Sequence, residues 1–178
     1  MVYVLFAEGF EETEAVVPVD FLRRAQIPVC MVSMNSDTLW VTGSHGICVQ
    51  CEQTADGAFP DMEMLLLPGG MPGTRNLDEH PQMNRLLRLA LERDCYLAAI
   101  CAAPLILGRR GLLQKKKAVC YPGFELELTG AQLQKQRVVQ DGKRITAIGP
   151  GAAIEFAYTV TSVLAGKACA DHVLESLC

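Results

Sequence analysis

The feature that most constrains the fold is the alternation of short, continuously apolar segments with amphipathic ones. Four segments have the length and apolar character of buried strands, namely Val2–Phe6, Val29–Ser33, Met64–Leu67 and Leu97–Ile100. Amphipathic segments with helical spacing lie between them. Strands that are apolar on both faces are typical of parallel sheets, which helices cover on each side. The sequence therefore predicts an α/β fold, with a largely parallel sheet and helices on both faces.

The other elements are predicted from periodicity and turn signals. The predicted helices are Glu12–Arg24, Pro81–Arg93, one that begins at Ala103, Ala152–Leu164 and Ala168–Leu177. The further predicted strands are Leu39–Val41, Ile47–Gln50, Ala118–Tyr121, Arg137–Gln140 and Ile145–Ile148, the last two joined by a hairpin at Asp141-Gly142. In the first helix the predicted inward stripe is Val16, Val17, Phe21 and Leu22. Pro18 is expected to disturb or kink that helix. No linker or repeat interrupts the chain, so we expect a single domain over residues 1–178.

Composition and charge exclude several classes of protein. The net charge of -4 provides no basic surface for nucleic acid. No apolar run approaches the roughly 20 residues that a membrane-spanning helix needs. The first residues lack the basic region of a signal peptide and are soon followed by Glu8, Glu11 and Glu12. We therefore expect a cytoplasmic protein with neither nucleic acid nor membrane as a partner.

The cysteine content predicts core residues in a reducing compartment. The eight cysteines are Cys30, Cys48, Cys51, Cys95, Cys101, Cys120, Cys169 and Cys178. A chain of this length with a large apolar core does not need a disulfide framework. Cys48 and Cys51 form a C-x-x-C, but it lies in a predicted strand with no helix after it, and the chain has no second such motif for zinc. We expect no metal site.

One cysteine stands at a position that favours chemistry. Tyr96 to Leu107 is predicted as a buried strand, then Cys101, then small residues and Pro104 opening a helix. A sharp turn from strand to helix exposes the turn side chain above the sheet, with helix N–H groups aimed at it. Those groups favour a thiolate well below the ordinary cysteine pKa of about 8.5. Cys101 is therefore a candidate nucleophile or redox-sensitive thiol, and the alternative is a buried structural cysteine.

Two more loops follow predicted strands, at the sheet edge where ligands of such folds bind. The pair Gly69-Gly70 suits a turn whose N–H groups point at an oxyanion, although an ordinary turn is the alternative. The acidic loop after the first strand contains Glu14 one turn into the helix, and we expect its side chain to face inward. A buried carboxyl has a raised pKa and can donate a hydrogen bond to a thiolate. The alternative is that these acids only favour the helix dipole.

Four segments in chain order carry a family resemblance. They are Gly9 to Asp20, Leu67 to Gly70, Ala99 to Pro104 and Gly149 to Gly151. Together they resemble the ThiJ/PfpI superfamily, within the branch of the Parkinson-disease protein (DJ-one) and bacterial YajL. The resemblance implies a flavodoxin-like α/β sandwich with a nucleophile elbow, usually assembled as a homodimer. It places the nucleophile at Cys101, a protonated carboxyl at Glu14, and an oxyanion pocket at Gly69, Gly70 and the N–H of Ala102.

The resemblance also implies a reaction. The superfamily branch is associated with methylglyoxal, with deglycation of early aldehyde adducts, and with oxidation of the elbow cysteine to a sulfinate. We expect a glutathione-independent glyoxalase or deglycase that acts on a small aldehyde or glycated adduct, through a hemithioacetal on Cys101 with Glu14 as the proton shuttle. No organic cofactor or metal is needed. The alternative is a redox-sensing stress protein or chaperone without physiological turnover.

Two departures from relatives limit the expected chemistry. Many relatives have a histidine before the proline that is Pro122 here, whereas this chain has Tyr121. Peptidase-like members have a histidine directly after the cysteine, where this chain has Ala102. Without a neighbouring imidazole, a peptidase or amidotransferase triad lacks its base. Tyr121 is a candidate auxiliary residue, as is His45, which corresponds to a basic residue near the dimer interface of some relatives.

Overall fold

The computed structural model describes residues 1–177, and Cys178 lies outside the described residues. The helices are α1 (Glu12–Arg24), α2 (Gly73–Glu79), α3 (Met83–Glu92), α4 (Pro104–Arg109), α5 (Ala153–Ala165) and α6 (Lys167–Ser176). The strands are β1 (Val2–Phe6), β2 (Val29–Ser33), β3 (Trp40–Thr42), β4 (Cys48–Gln50), β5 (Gln53–Thr54), β6 (Met64–Leu67), β7 (Tyr96–Ile100), β8 (Lys117–Ala118), β9 (Gln132–Leu133), β10 (Val138–Asp141) and β11 (Arg144–Ala147).

A seven-stranded sheet forms the centre of the protein, in the order β10-β11-β7-β6-β1-β2-β5. All neighbouring strands in it are parallel except β10 and β11, which form the predicted antiparallel hairpin. The short strands β3 and β4 pair in a separate antiparallel hairpin. Because β1, β6, β7 and β11 run in the same direction, their carboxyl ends meet at one edge of the sheet. The predicted α/β fold is confirmed.

Helices cover both faces of this sheet, because alternate side chains of each strand point to opposite sides. On one face Tyr3 and Leu5 lie in a buried cluster with residues of α2, α3 and α4. On the other face Val4 and Phe6 lie in a second cluster with residues of α1 and α5. Helix α6 packs outside that layer, where Val173 contacts the surfaces of α1 and α5. The buried strands therefore hold the loops at their carboxyl ends in fixed positions.

Helix α1 has the predicted bounds, but its buried face differs from the predicted stripe. Phe21 and Leu22 are buried as expected, whereas Val16 is 40% exposed. The prediction for Val16 is wrong because Glu14 and Pro18 lie on the buried face instead, which turns Val16 toward solvent. The helix continues on both sides of Pro18, so the missing N–H donor does not end it.

The regions between the main elements differ most from prediction. The predicted strand Ala118–Tyr121 is reduced to β8, which pairs with the unpredicted β9 outside the central sheet. Helix α2 and strand β5 were also not predicted, since α2 opens on a Pro-Gly sequence that is typical of a loop and β5 has two residues. None of the helices between Met1 and Leu177 has both the length and the apolar character of a membrane span.

The cysteines follow the prediction in most positions. Cys48 is exposed and Cys169 is half-buried, and the other five described cysteines are buried. All seven described cysteines are free thiols. Cys48 and Cys51 differ in burial, as expected for a C-x-x-C that does not close a turn.

Candidate active site

Cys101 forms a sharp elbow at the carboxyl end of β7. Its backbone has a φ of 66°, in the left-handed region that non-glycine residues rarely adopt. Such a conformation costs on the order of 1–3 kcal/mol, so the surrounding contacts must hold it. The Cys101 N–H donates to the carbonyl of Ala147 at 2.9 Å, and its carbonyl accepts from the N–H of Tyr121 at 2.8 Å. The residue keeps 9% of its surface exposed, so access to it is narrow.

Glu14 is fully buried on the first turn of α1, as predicted. Glu11 is the N-cap of this helix, and its Oε2 accepts from the N–H of Glu14 at 2.7 Å. This cap fixes the orientation of the first helical turn, so that the Glu14 side chain points toward Gly69. Its Oε2 accepts from the N–H of Gly69 at 2.9 Å. Its Oε1 is buried without a hydrogen-bond partner among residues 1–177.

Gly69 brings the carboxyl group and the cysteine to one point. A Cβ atom at this position would lie 2.5 Å from Oε2 of Glu14 and 2.6 Å from Cβ of Cys101. Real Cβ atoms do not make contacts this short, so only glycine fits between the two side chains. Packing of Gly69 therefore sets the close approach of Glu14 and Cys101, which are 87 residues apart in the chain.

The two side chains influence each other's ionisation. Burial raises the pKa of Glu14 to about 7, and the neighbouring Cys101 thiol acts in the opposite direction. Burial, together with the charge of Glu14, raises the pKa of Cys101 to about 12. The predicted thiolate of low pKa is therefore wrong for the free Cys101 thiol, because that prediction considered the nearby N–H groups and neither burial nor the carboxylate. Because each group shifts the pKa of the other, the two titrate as a coupled pair.

Backbone donors surround the sulfur, in part as predicted. The N–H groups of Gly70 and Ala102 point at the Cys101 thiol and lower its pKa, which partly offsets burial. Gly70 has a φ of 88°, a conformation that glycine adopts without strain. Gly69 does not supply the third predicted donor, since its N–H is bound to Glu14. Two of the three predicted backbone N–H groups therefore face the sulfur.

Tyr121 lies beside the elbow, and His45 does not. The Tyr121 ring packs against Gly149, where a Cβ atom would lie 3.1 Å from Cδ2 of the ring. This contact and the hydrogen bond to Cys101 place the ring at the margin of the site. His45 is instead bound to Glu12, with 2.9 Å between its Nδ1 and Oε2 of the carboxylate. Within this chain His45 thus has a carboxylate partner other than Glu14.

Glu12 has a role that sequence reasoning missed. Its Oε1 accepts from the N–H of His45 at 2.7 Å, and its carboxylate also binds Ser44 and Ile47, all in the turn between β3 and β4. Burial raises the pKa of Glu12, but these hydrogen bonds together lower it below its ordinary value. The same contact raises the pKa of His45. Ligand atoms of Glu11, Glu12 and His45 lie within 4.8 Å of one another, but Glu12 already uses both oxygens to hold the hairpin turn.

Comparison with known proteins gives consistent matches. A family model described as the DJ-1/PfpI family matches residues 1–162. The chain is 32% identical over 176 residues to protein dj-1beta of Drosophila melanogaster, with 98% of this chain and 94% of that protein covered. It is 28% identical over 182 residues to a Caenorhabditis elegans protein named glutathione-independent glyoxalase DJR-1.2, with 96% and 91% covered. A solved structure of Toxoplasma gondii DJ-1, oxidized, has a TM-score of 0.91 and 34% identity, with 99% and 96% covered.

Proposed function

Because the chain belongs to the DJ-1/PfpI family, as its motifs indicated, we propose that it is a cysteine-dependent enzyme for small 2-oxoaldehydes or their early glycation adducts. The observation that carries this proposal is the buried carboxyl of Glu14 next to Cys101, with one oxygen free of hydrogen-bond partners in the described chain. Such a group can exchange a proton with both the sulfur and a bound substrate. The name of the C. elegans relative supports a glyoxalase reaction in particular.

The proposed reaction begins with proton transfer inside the pair. Glu14 takes the thiol proton, and the Cys101 thiolate attacks the aldehyde carbon of methylglyoxal to form a hemithioacetal. The aldehyde oxygen carries negative charge in this step, and the N–H groups of Gly70 and Ala102 stabilise it until Glu14 returns the proton. One oxyanion donor of this kind is worth about 10²–10³ in rate.

The second half of the reaction moves one proton between carbons. The carboxylate of Glu14 removes the proton from C1 of the hemithioacetal, which forms an enediol, and then returns a proton to C2. The product is a thioester of Cys101, and water hydrolyses it to lactate and the free thiol. Acid–base assistance by one positioned carboxyl is worth about 10²–10⁴ in rate. The narrow opening above Cys101 favours substrates as small as methylglyoxal.

Release of aldehyde from early glycation adducts would use the same residues. A hemiaminal or hemithioacetal adduct is in equilibrium with free aldehyde, so an enzyme that consumes the aldehyde reverses the adduct by mass action. A direct deglycase must act faster than this spontaneous release. Comparing the rate of adduct loss with the rate of aldehyde release therefore separates the two activities.

The proposal is tested by lactate formation from methylglyoxal in the absence of glutathione. We expect lactate from the wild-type protein and none above background from Cys101→Ser, which keeps the size of the side chain. Glu14→Gln should also lose nearly all turnover, because an amide can neither take up nor release a proton as a carboxyl group does. Cys169→Ser serves as the control, since Cys169 lies on α6 away from the site. Equal lactate from wild type and Cys101→Ser would refute the proposal.

A redox-sensing function is the second candidate, favoured by the free oxygen of Glu14. A protonated carboxyl there can donate a hydrogen bond to an oxidised sulfur and stabilise a sulfinate on Cys101. The T. gondii relative was solved in an oxidized form, which supports this second candidate. Under this function, peroxide would convert Cys101 to sulfinate in the wild type and to higher oxides in Glu14→Gln, with no lactate from either protein. Mass spectrometry distinguishes these products.

We also infer that two copies associate and that the protein works in the cytoplasm. The hairpin of β3 and β4 exposes Trp40 and Ile47 by 52% and 57%, close to α1 because Glu12 holds the turn. Large exposed apolar side chains of this kind favour an interface. Sedimentation equilibrium should give a dimer for the wild type and a larger monomer fraction for Ile47→Asp.

The proposed cytoplasmic location rests on the cysteines. The seven free thiols of the described chain support a reducing compartment.

A further inference from the structure

A cavity of about 300 Å³ lies at the amino-terminal edge of the central sheet. Its lining includes residues that directly precede three neighbouring parallel strands: Glu63 before β6, Cys95 before β7 and Lys143 before β11. Strand β7 runs from this cavity to the Cys101 elbow. Six residues at about 3.3 Å each separate the two cysteines by roughly 20 Å. The cavity is therefore distinct from the candidate active site.

The cavity contains a cation that no carboxylate neutralises in the described part of the chain. Arg93 at the end of α3 donates from Nη1 to the backbone carbonyls of Phe59 and Pro60. Its Nε and Nη2 atoms make no hydrogen bond to residues 1–177, so these donors remain available on the guanidinium. Glu63, which directly precedes β6, also lines the cavity. Its carboxylate is paired with the amino group of Met1 at 2.6 Å.

A second cation can contribute to the same site. Lys143 binds Asp94 at 2.5 Å, but the Asp94 side chain is 85% exposed. Ion pairs exposed to this degree contribute about 0–1 kcal/mol, so an incoming carboxylate can share the ammonium group. Lys143 Nζ also lies 5.7 Å from the ring centroid of Tyr96, which orients it along the cavity wall.

The lining of the cavity also includes apolar side chains. Val163 and Leu164, near the end of α5, line it and are half-buried against the core. Met62 is a buried residue of the same lining, and its carbonyl accepts a hydrogen bond from the Cys95 thiol at 2.9 Å. A ligand that combines one negative charge with a short aliphatic tail would match both the cationic and the apolar residues of the lining. The volume is at the lower end of the range for small-molecule sites, about 300–1,000 Å³.

We propose that this cavity binds a small organic anion, with its carboxylate between Arg93 and Lys143 and its aliphatic part against Val163 and Leu164. The positive field also reaches the buried thiol at the edge of the cavity. Burial raises the pKa of Cys95, whereas Arg93 and Lys143 both act to lower it. The site needs neither Cys101 nor Glu14, so its occupancy is independent of the proposed reaction.

The test is a titration followed by amide chemical shifts, with butyrate as the anionic probe and butyramide as its neutral counterpart. Butyrate should cause saturable shifts at the amides of Cys95, Tyr96 and Lys143, and butyramide should not. Arg93→Gln should raise the dissociation constant for butyrate roughly tenfold or more, as expected for loss of one charged hydrogen bond. Arg88→Gln is the matched control, because Arg88 is exposed on the same helix α3.

Several outcomes would overturn the proposal. They include no saturable shift at these amides, equal shifts with butyramide, or unchanged affinity in Arg93→Gln. Shifts confined to Gly69, Gly70 and Ala102 would place the anion at the active site and would also overturn it. If Arg93→Gln does not fold, Lys143→Gln provides the second variant, and it should weaken butyrate binding in the same direction.

Discussion

Replacement of Glu14 by glutamine should change the pH dependence of stability as well as activity. Glutamine has the same shape, and its Oε1 can still accept from the N–H of Gly69. It cannot ionise, so it removes the cost of placing a carboxylate in a buried site. Glu14 ordinarily titrates at 4.5, whereas burial raises its pKa to about 7 in the folded protein. The substitution therefore isolates the energetic consequence of that difference.

The sign and size of the change in stability follow from proton linkage. The folded protein binds a proton at Glu14 more tightly than the unfolded chain, so the associated stability is fully present below pH 4.5. It is lost as the pH rises through about 7. Each unit between the two pKa values corresponds to about 1.4 kcal/mol, which gives roughly 3 kcal/mol over the interval. Glu14→Gln lacks this titration, so it should become more stable relative to the wild type by up to that amount at high pH.

Urea unfolding at a series of pH values between 4.5 and 8.5 measures this difference. We expect the free energy of unfolding of Glu14→Gln minus that of the wild type to increase from pH 4.5 to about 7 and then to level off. Glu175→Gln is the control, because Glu175 is exposed on α6 and its difference from the wild type should not vary with pH. A difference for Glu14→Gln that is constant with pH, or that falls, would refute the assignment of a raised pKa to Glu14.

Three further substitutions have defined outcomes. Gly69→Ala should lower lactate formation about 100-fold or more, since the new methyl group would lie 2.5 Å from Oε2 of Glu14 and displace that carboxyl group. Circular dichroism should show that the fold is retained. Wild-type activity in this variant would show that the close approach of Glu14 and Cys101 is unnecessary. Tyr121→Phe should keep the wild-type lactate rate, because the ring contact with Gly149 is retained, whereas a large loss would assign the hydroxyl a role in proton transfer. Glu12→Gln should lower the pKa of His45 toward its ordinary value of 6.5 in an NMR titration, because the hydrogen bond and charge that raise it are lost; an unchanged pKa would contradict the pairing.

The parts of the fold that could be predicted are those whose signal is local. Continuous apolar strands and the Pro104 that opens α4 identify Cys101 as an elbow residue, because the strand, turn and helix are adjacent in sequence. Glu14 could be identified from its place one turn into α1. The exposure of Val16 could not be predicted. It depends on how α1 is rotated about its axis, which is set by the N-cap at Glu11 and by the side chains that pack against the sheet.

The electrostatics of the site depend on contacts between distant segments, and these were not predictable. The N–H of Gly69 binds Glu14 across 55 residues of sequence, which removes one expected oxyanion donor. The same convergence buries Cys101 beside a carboxyl group, so its pKa is raised rather than lowered. Glu12 likewise became a partner of the β3–β4 turn only through folding. Residue types were therefore sufficient to predict which side chains come together, whereas the pKa values of those side chains required the structure.

The most direct test of the central claim is the reaction of methylglyoxal in D₂O, with the lactate analysed by NMR. If the Cys101 thiolate adds to the aldehyde and Glu14 moves the proton, lactate should form only with Cys101 present. Because a carboxyl proton exchanges with solvent, that lactate should carry deuterium at C2. Lactate that forms equally in Cys101→Ser, or that retains the aldehyde hydrogen at C2 in full, would contradict the account.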